Sequence, residues 1–211
     1  ALKEICLKHS LYLFSDEAYR EFCYGGEFVS ALHLEGMEQH VVLMDTISKR
    51  YSACGARIGA LVTKNKDVYQ AALKFAQARL SPPGLAQIMG EAAIDLPDNY
   101  FDGPKAEYMA RRDLMIARLN KMEGVTCPNP GGAFYAIARL PIDDADKFCQ
   151  WLLESFSHNN QTVMLSPATG FYGTPGLGKN EVRLAYVLNL KTLDAAMDCL
   201  EVALKAYKEL M

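Results

Sequence analysis

Continuous apolar runs and longer helical stripes alternate along the first half of the chain. Leu11 to Ser15 and Val41 to Met44 are unbroken runs that each end at an aspartate, and Ile58 to Val62 is a third. Short runs of this kind predict buried strands of an α/β sheet. Ala1 to Leu7 already has helical spacing. Val68, Ala72, Phe75 and Arg79 share one face of a helix predicted to stop before Pro82-Pro83. Leu85, Ile88, Met89, Ala92 and Ala93 continue helically to Pro97. Tyr108, Met115, Ile116, Leu119 and Met122 stripe a longer helix that Gly124 should end, since glycine accepts the left-handed conformation of a helix stop.

Beyond that point the pattern changes. Pro128-Asn129-Pro130-Gly131-Gly132 is a turn cluster, followed by strand-like Ala133 to Leu140. Phe148, Trp151, Leu152 and Phe156 mark a helix opened by Asp143 or Asp144. Val163 to Leu165 and Val182 to Leu188 are expected as strands, separated by a flexible glycine-rich loop from Gly170 to Gly178. Leu193, Met197, Leu200, Leu204 and Tyr207 stripe the last helix. Strands and helices alternate early and segregate late, so the expected organisation is a large α/β domain over 1–103, a linking helix over 104–123 and a small α+β domain over 124–211.

Composition narrows the class. The chain has 211 residues, half of them apolar, enough for a sizeable core. The net charge is −3 and no basic stripe is visible, so nucleic acid is not the expected partner. Six scattered cysteines without a C-x-x-C pair read as reduced thiols of a cytoplasmic protein. No apolar run reaches the roughly 18 residues of a membrane span. The chain begins without Met inside a helical pattern, so it is expected to be a fragment.

The chemistry concentrates in Asp45-Thr46-Ile47-Ser48-Lys49-Arg50-Tyr51, which leads into Gly55-Ala56-Arg57-Ile58-Gly59. A lysine at a strand end can form an imine with an aldehyde cofactor, and a partly desolvated lysine near other cations loses its proton readily. Hydroxyls and an arginine can hold a phosphate, the arginine with its planar fork. Gly55 and Gly59 would permit close backbone approach. Together these residues point to pyridoxal phosphate. Asp16 closes the first apolar run and Tyr19 follows it. Asp16 either caps a helix or faces the crevice at the strand ends, where open α/β sheets bind ligands. Arg183 sits in the alternating run Val182 to Val187, where a charge needs a partner, either a substrate carboxylate or a structural salt bridge. His9, His33, His40 and His158 show no metal spacing, and Gly173 to Lys179 lacks the spacing of a phosphate loop.

Four pieces in order carry a resemblance: S-D-E-A-Y-R-E-F from Ser15, T-I-S-K-R-Y with G-A-R-I-G from Thr46, N-P-G-G-A-F-Y from Asn129, and E-V-R-L-A-Y from Glu181. The chain resembles the fold-type I pyridoxal-phosphate aminotransferases of class I/II, the aspartate aminotransferase-like family. The resemblance implies that residues 1–103 are the partial, mostly parallel large domain. It makes Lys49 the Schiff-base lysine and proton shuttle. It has Asp16 pair with the pyridine nitrogen, Tyr19 bond the ring oxygen, and Thr46, Ser48 and Arg57 contact the phosphate. Arg183 would bind the substrate α-carboxylate. It further implies a homodimer acting on amino acids and 2-oxo acids. Family members run to nearly twice this length, and the absent part should hold the glycine-rich phosphate turn and the aromatic that stacks on the ring. A β-lyase acting on cysteine conjugates and the aminotransferase-like effector domain of a transcription regulator are the alternatives.

Overall fold

The computed structural model describes residues 1–210 and divides into two compact units, Ala1–Gly103 and Pro104–Met211.

The first unit opens with helix α1 (Leu2–Lys8), then strand β1 (Leu13–Asp16). Strand β2 (Val41–Thr46) runs directly into the single-turn helix α2 (Ile47–Arg50), and β3 (Gly59–Val62) follows. Helices α3 (Lys66–Arg79) and α4 (Gly84–Ala92) complete it. Asn65 caps α3 by accepting from the N–H groups of Asp67 and Val68 at 2.9 and 3.0 Å, which satisfies donors that have no partner inside the helix. The sheet order is β1-β2-β3. β1 and β2 are parallel, with Asp16 opposite Met44, whereas β2 and β3 are antiparallel, with Thr46 opposite Gly59. The sheet is therefore mixed, with one antiparallel pairing where mostly parallel strands were expected. All three apolar runs are strands, but only the central one is buried: Val41, Val42 and Leu43 are inside, while Phe14 and every residue of β3 are exposed. An apolar run encodes a strand that can be buried; burial also needs elements on both faces.

The second unit is closed. Helix α5 (Asp102–Leu119) enters it, and turns carry the chain on to Gly124, whose φ of +75° only glycine adopts easily. Strand β4 (Tyr135–Arg139), helix α6 (Ala145–Glu154), the two-residue strand β5 (Ser166–Pro167), strand β6 (Glu181–Ala185) and helix α7 (Leu190–Lys208) follow. Asp144, not Asp143, caps α6; Asp143 accepts instead from the Tyr207 hydroxyl at 3.1 Å. The antiparallel sheet has order β4-β6-β5. Its alternation sends Ala136, Ala138, Val182 and Leu184 inward, where Phe148, Leu152, Leu200 and Met115 are also buried. Each large side chain buried there contributes roughly 1.5–3 kcal/mol. Arg118 of α5 pairs with Asp194 and Asp198 and ties that helix to α7.

One expectation is corrected here. Val163 to Leu165 is not a strand; pairing with β6 begins at Ser166, opposite Arg183. The glycine-rich segment is anchored at both ends. Ala168 N–H donates to the Glu181 carbonyl at 2.9 Å, and Glu181 N–H to the Gly178 carbonyl at 3.0 Å. Thr169 Oγ1 donates to Asp146 at 2.8 Å. A Cβ on Gly178 would meet the Tyr172 ring at 2.8 Å and the Ala168 backbone at 2.9 Å, so glycine there permits the closure.

Candidate active site

A four-residue helix is not stable alone, because nucleation fixes several residues for one hydrogen bond. Contacts at both ends hold α2. Thr46 caps it, its hydroxyl accepting from Ser48 N–H at 3.1 Å and donating to the Ile58 carbonyl at 2.8 Å. At the other end the buried Arg50 guanidinium pairs with Asp45 and lies 3.7 Å from Glu21. Arg20 completes a cluster, 3.3 Å from Asp45 and 3.2 Å from Glu21. A buried charge persists only where it is paired in this way. Lys49 projects from the helix so held. It is half-buried, and its Nζ lies 5.8 Å from the centroid of the Tyr19 ring.

Tyr19 reaches that position through the turn after β1. Asp16 is exposed and its carboxylate accepts from Ala18 N–H at 3.1 Å. The following residues form a turn rather than a helix, so Asp16 closes a turn instead of capping a helix. Glu17 beside it is buried. Its Oε1 accepts from Ser15 Oγ at 3.1 Å, Ser30 Oγ at 3.0 Å and Ala31 N–H at 2.9 Å, while its Oε2 is buried without a partner. Glu17 thus ties the strand end to the segment around Ser30. Because β1 and β2 are parallel and in register, their carboxyl ends emerge side by side, bringing Asp16 and Tyr19 to the edge where Lys49 follows β2.

Thr46, Ser48 and Arg57 line one open cavity of about 790 Å³ with Tyr69, Phe75 and Arg79. That volume is within the range of small-molecule sites. The Thr46 and Ser48 hydroxyl oxygens lie 2.8 Å apart. Arg57 adopts a left-handed backbone, φ 55°, uncommon outside glycine, and its guanidinium donates to the Cys54 carbonyl at 2.9 Å. Gly59 makes the close approach expected of it, but to protein: an added Cβ would lie 2.7 Å from the Asp45 carbonyl. No atom beyond its chain neighbours would lie within 4 Å of a Cβ on Gly55.

Arg183 belongs to the second unit. Alternation along β6 puts it on the face opposite the buried Val182 and Leu184. Its guanidinium carbon lies 4.7 Å from the Tyr135 ring centroid and 4.9 Å from that of Phe171. Among the described residues no carboxylate forms an ion pair with it. The structure therefore brings Thr46, Ser48 and Arg57 around one cavity, sets Lys49 near Tyr19 with Asp16 at the adjoining strand end, and gives Arg183 aromatic neighbours. The sequence reading missed the Arg20–Asp45–Arg50–Glu21 cluster, Glu17, Arg79 and Phe171. For the cluster and Glu17 the available signal was the density of charges immediately around the two strand ends; Arg79 and Phe171 carried no such signal.

Residues 1–200 match the family model described as aminotransferase class I and II. The chain belongs to that family. It is 31% identical over 208 residues to an aspartate aminotransferase of Bacillus subtilis, covering 94% of this chain and 50% of the relative. To the aspartate aminotransferase of Geobacillus stearothermophilus it is 32% identical over 208 residues, again covering 94% and 50%. Among solved structures, an aspartate aminotransferase from Thermotoga maritima superposes with a TM-score of 0.83 at 27% identity, covering 97% of this chain and 50% of that one. An alanine aminotransferase from Pyrococcus furiosus gives 0.83 at 27%, covering 96% and 51%. The chain thus spans about half the length of the curated relatives it matches.

Proposed function

We propose that the gene product carrying this chain is a pyridoxal-phosphate-dependent aminotransferase that moves an amino group between an amino acid and a 2-oxo acid. The observation that carries this reading is Lys49 on a braced turn at the end of β2, its amine 5.8 Å from the Tyr19 ring centroid beside the parallel end of β1. The residues present fit the cofactor the family implies: an amine, a carboxylate, a phenol, two hydroxyls and a guanidinium. Thr46, Ser48 and Arg57 would hold its phosphate, Asp16 its pyridinium nitrogen and Tyr19 its ring oxygen. When bound, pyridoxal phosphate supplies an electron sink for the pair left on the substrate Cα.

The chain's own residues supply the rest. The Asp16 carboxylate favours the protonated ring nitrogen, as an opposite charge favours a charged form. With the cofactor bound, the Lys49 amine would take the proton from substrate Cα and hand it on to the carbon that carried the cofactor's aldehyde, the work of a positioned general base and acid. The Arg20–Asp45–Arg50–Glu21 cluster keeps that amine aimed by holding α2. Arg183 binds the substrate carboxylate; a guanidinium with which, among the described residues, no carboxylate forms an ion pair is suited to accept one from outside. A large domain over 1–103, a linking helix over 104–123 and a small domain over 124–211 remain the organisation we propose. A cytoplasmic homodimer completes the reading: the free cysteines suit a reducing compartment, and the dimer is what the family resemblance implies.

Borohydride reduction of the gene product with pyridoxal phosphate, followed by peptide mapping, is expected to label Lys49. Labelling at Lys64 or Lys66 instead overturns the assignment. Turnover should require a 2-oxo acid acceptor; keto-acid release without one would indicate elimination from Cβ.

A further inference from the structure

We propose that Phe171 and Tyr135 are positioning residues for Arg183: their rings hold the guanidinium where a substrate carboxylate meets its N–H groups, and Phe171 sets how tightly that carboxylate is held. The inference deepens the reading of Arg183 as the carboxylate site and rests on it.

The placement follows from the sheet. β4 and β6 are antiparallel with Ile137 opposite Arg183. Tyr135, two residues along from Ile137, therefore shares the outward face with Arg183 as its diagonal neighbour, close enough for an aromatic to reach. Its ring centroid is 4.7 Å from the guanidinium carbon. Phe171 arrives from elsewhere. It ends the short 3-10 turn Thr169–Phe171, and its ring centroid is 4.9 Å from the same carbon. Phe171 is 55% exposed in this chain, so core packing does not explain its position.

The segment that carries Phe171 is built to hold it. Phe171 N–H donates to the Ala168 carbonyl at 2.9 Å. The Ala168 N–H bond to Glu181, the Thr169 bond to Asp146 and the Tyr172 hydroxyl bond to Glu181 fix the segment against β6 and α6. Gly178 lets the chain close beneath the Tyr172 ring. The outcome of this bracing is one aromatic ring face set against one cation.

The choice of partner has a chemical consequence. A protein carboxylate beside Arg183 would neutralise it and compete with the substrate's own carboxylate. A ring face attracts the cation through its quadrupole while accepting none of the N–H bonds that a carboxylate needs. The two rings also restrict a long side chain before the substrate arrives, so less freedom is lost on binding. Ordering of this kind acts on substrate and transition state alike, so it alters affinity and leaves kcat nearly unchanged.

The test uses the full-length gene product with pyridoxal phosphate, 2-oxoglutarate as acceptor, and whichever of L-aspartate, L-alanine and L-phenylalanine turns over fastest as donor. Phe171→Leu keeps apolar bulk and removes the π face. It is expected to raise KM for both donor and acceptor about five- to tenfold. kcat should stay within about twofold and the thermal midpoint should not move, since an exposed position tolerates substitution. Phe171→Tyr restores the ring face and should return both KM values to those of the parent. Arg183→Lys separates the two layers of the argument. If it raises KM while Phe171→Leu does not, the positioning role falls and the carboxylate site stands. If Arg183→Lys leaves KM unchanged, the carboxylate site itself falls. A loss of kcat at constant KM in Phe171→Leu, or failure of Phe171→Tyr to rescue, also overturns the proposal.

Discussion

In the second unit, α7 buries a full stripe from Leu193 to Tyr207 and the inner face of the sheet is closed; in the first, α3 buries none of its residues and all of β3 is exposed. The unit with the thicker core carries only Arg183 of the proposed site. The thinly covered unit carries Lys49, Asp16, Tyr19, Thr46, Ser48 and Arg57. There, local polar contacts do what packing does elsewhere: a hydroxyl cap and a buried ion cluster hold α2, and a buried carboxylate holds the turn after β1. Such contacts fix direction as well as position, which suits groups that must be aimed. They are also vulnerable, because losing one partner strands a buried charge.

The comparison can be broken in several ways. The largest expected effect is on chemistry. Lys49→Ala should lower amino transfer by about 10²–10⁴-fold, with far-UV circular dichroism unchanged. Retention of more than about a tenth of the rate would remove the lysine from the role of general base. Next comes stability, where packing should prove the larger of the two holding devices. Arg50→Met is expected to destabilise by about 1–3 kcal/mol, since Asp45 loses its buried partner but keeps Arg20 3.3 Å away. Phe148→Ala, at a fully buried position of the second unit, should cost about 3–5 kcal/mol through a cavity. Urea titration of each variant decides; an Arg50→Met cost near that of a surface change would mean that α2 is held some other way.

A smaller effect sharpens the contrast of surfaces. Phe75 on α3 is 79% exposed, so Phe75→Ala should shift stability of this chain by no more than about 0.5 kcal/mol. A cost near that of Phe148→Ala would show α3 to be covered in solution. The smallest effect is one of pH. Burial pushes the Cys127 and Cys149 thiols from 9.0 up to about 11, with Asp146 adding to the shift at Cys149. The Tyr207 hydroxyl is raised too, by burial and by its bond to Asp143. A raised thiol pKa means that the folded state holds the proton more tightly than the unfolded state. The associated stability is complete below the unfolded value near 9.0 and is lost as pH rises toward about 11. The urea midpoint of the second unit should fall across that window, and Cys149→Ala should flatten the fall.

Much of this molecule was legible before its structure. The three apolar runs of the first unit are strands, the stripes became helices α3 to α7, and Gly124 stands at the turn after α5. These features are local: spacing sets the period of an element, and cap and glycine chemistry sets its ends. The residue types of the candidate site were local as well, since a lysine between hydroxyls at a strand end announces itself in one dimension. Four ordered pieces sufficed for the family resemblance, which the match over residues 1–200 bears out.

Only the tertiary structure decided what each charged side chain meets. Asp45 and Arg50 lie in one short segment, yet their pairing depends on the turn from β2 into α2. Alternation placed Arg183 on the open face of β6, but its partner was settled by a distant segment whose hydrogen bonds deliver Phe171. Pairing with β6 fell on Ser166 and Pro167 instead of the more apolar Val163 to Leu165, because register follows where the pinned segment returns to β6. Burial of β3 likewise could not be read from its apolar letters. Period and capping are properties of consecutive residues, whereas partners, register and coverage are properties of segments that meet only after the chain has folded.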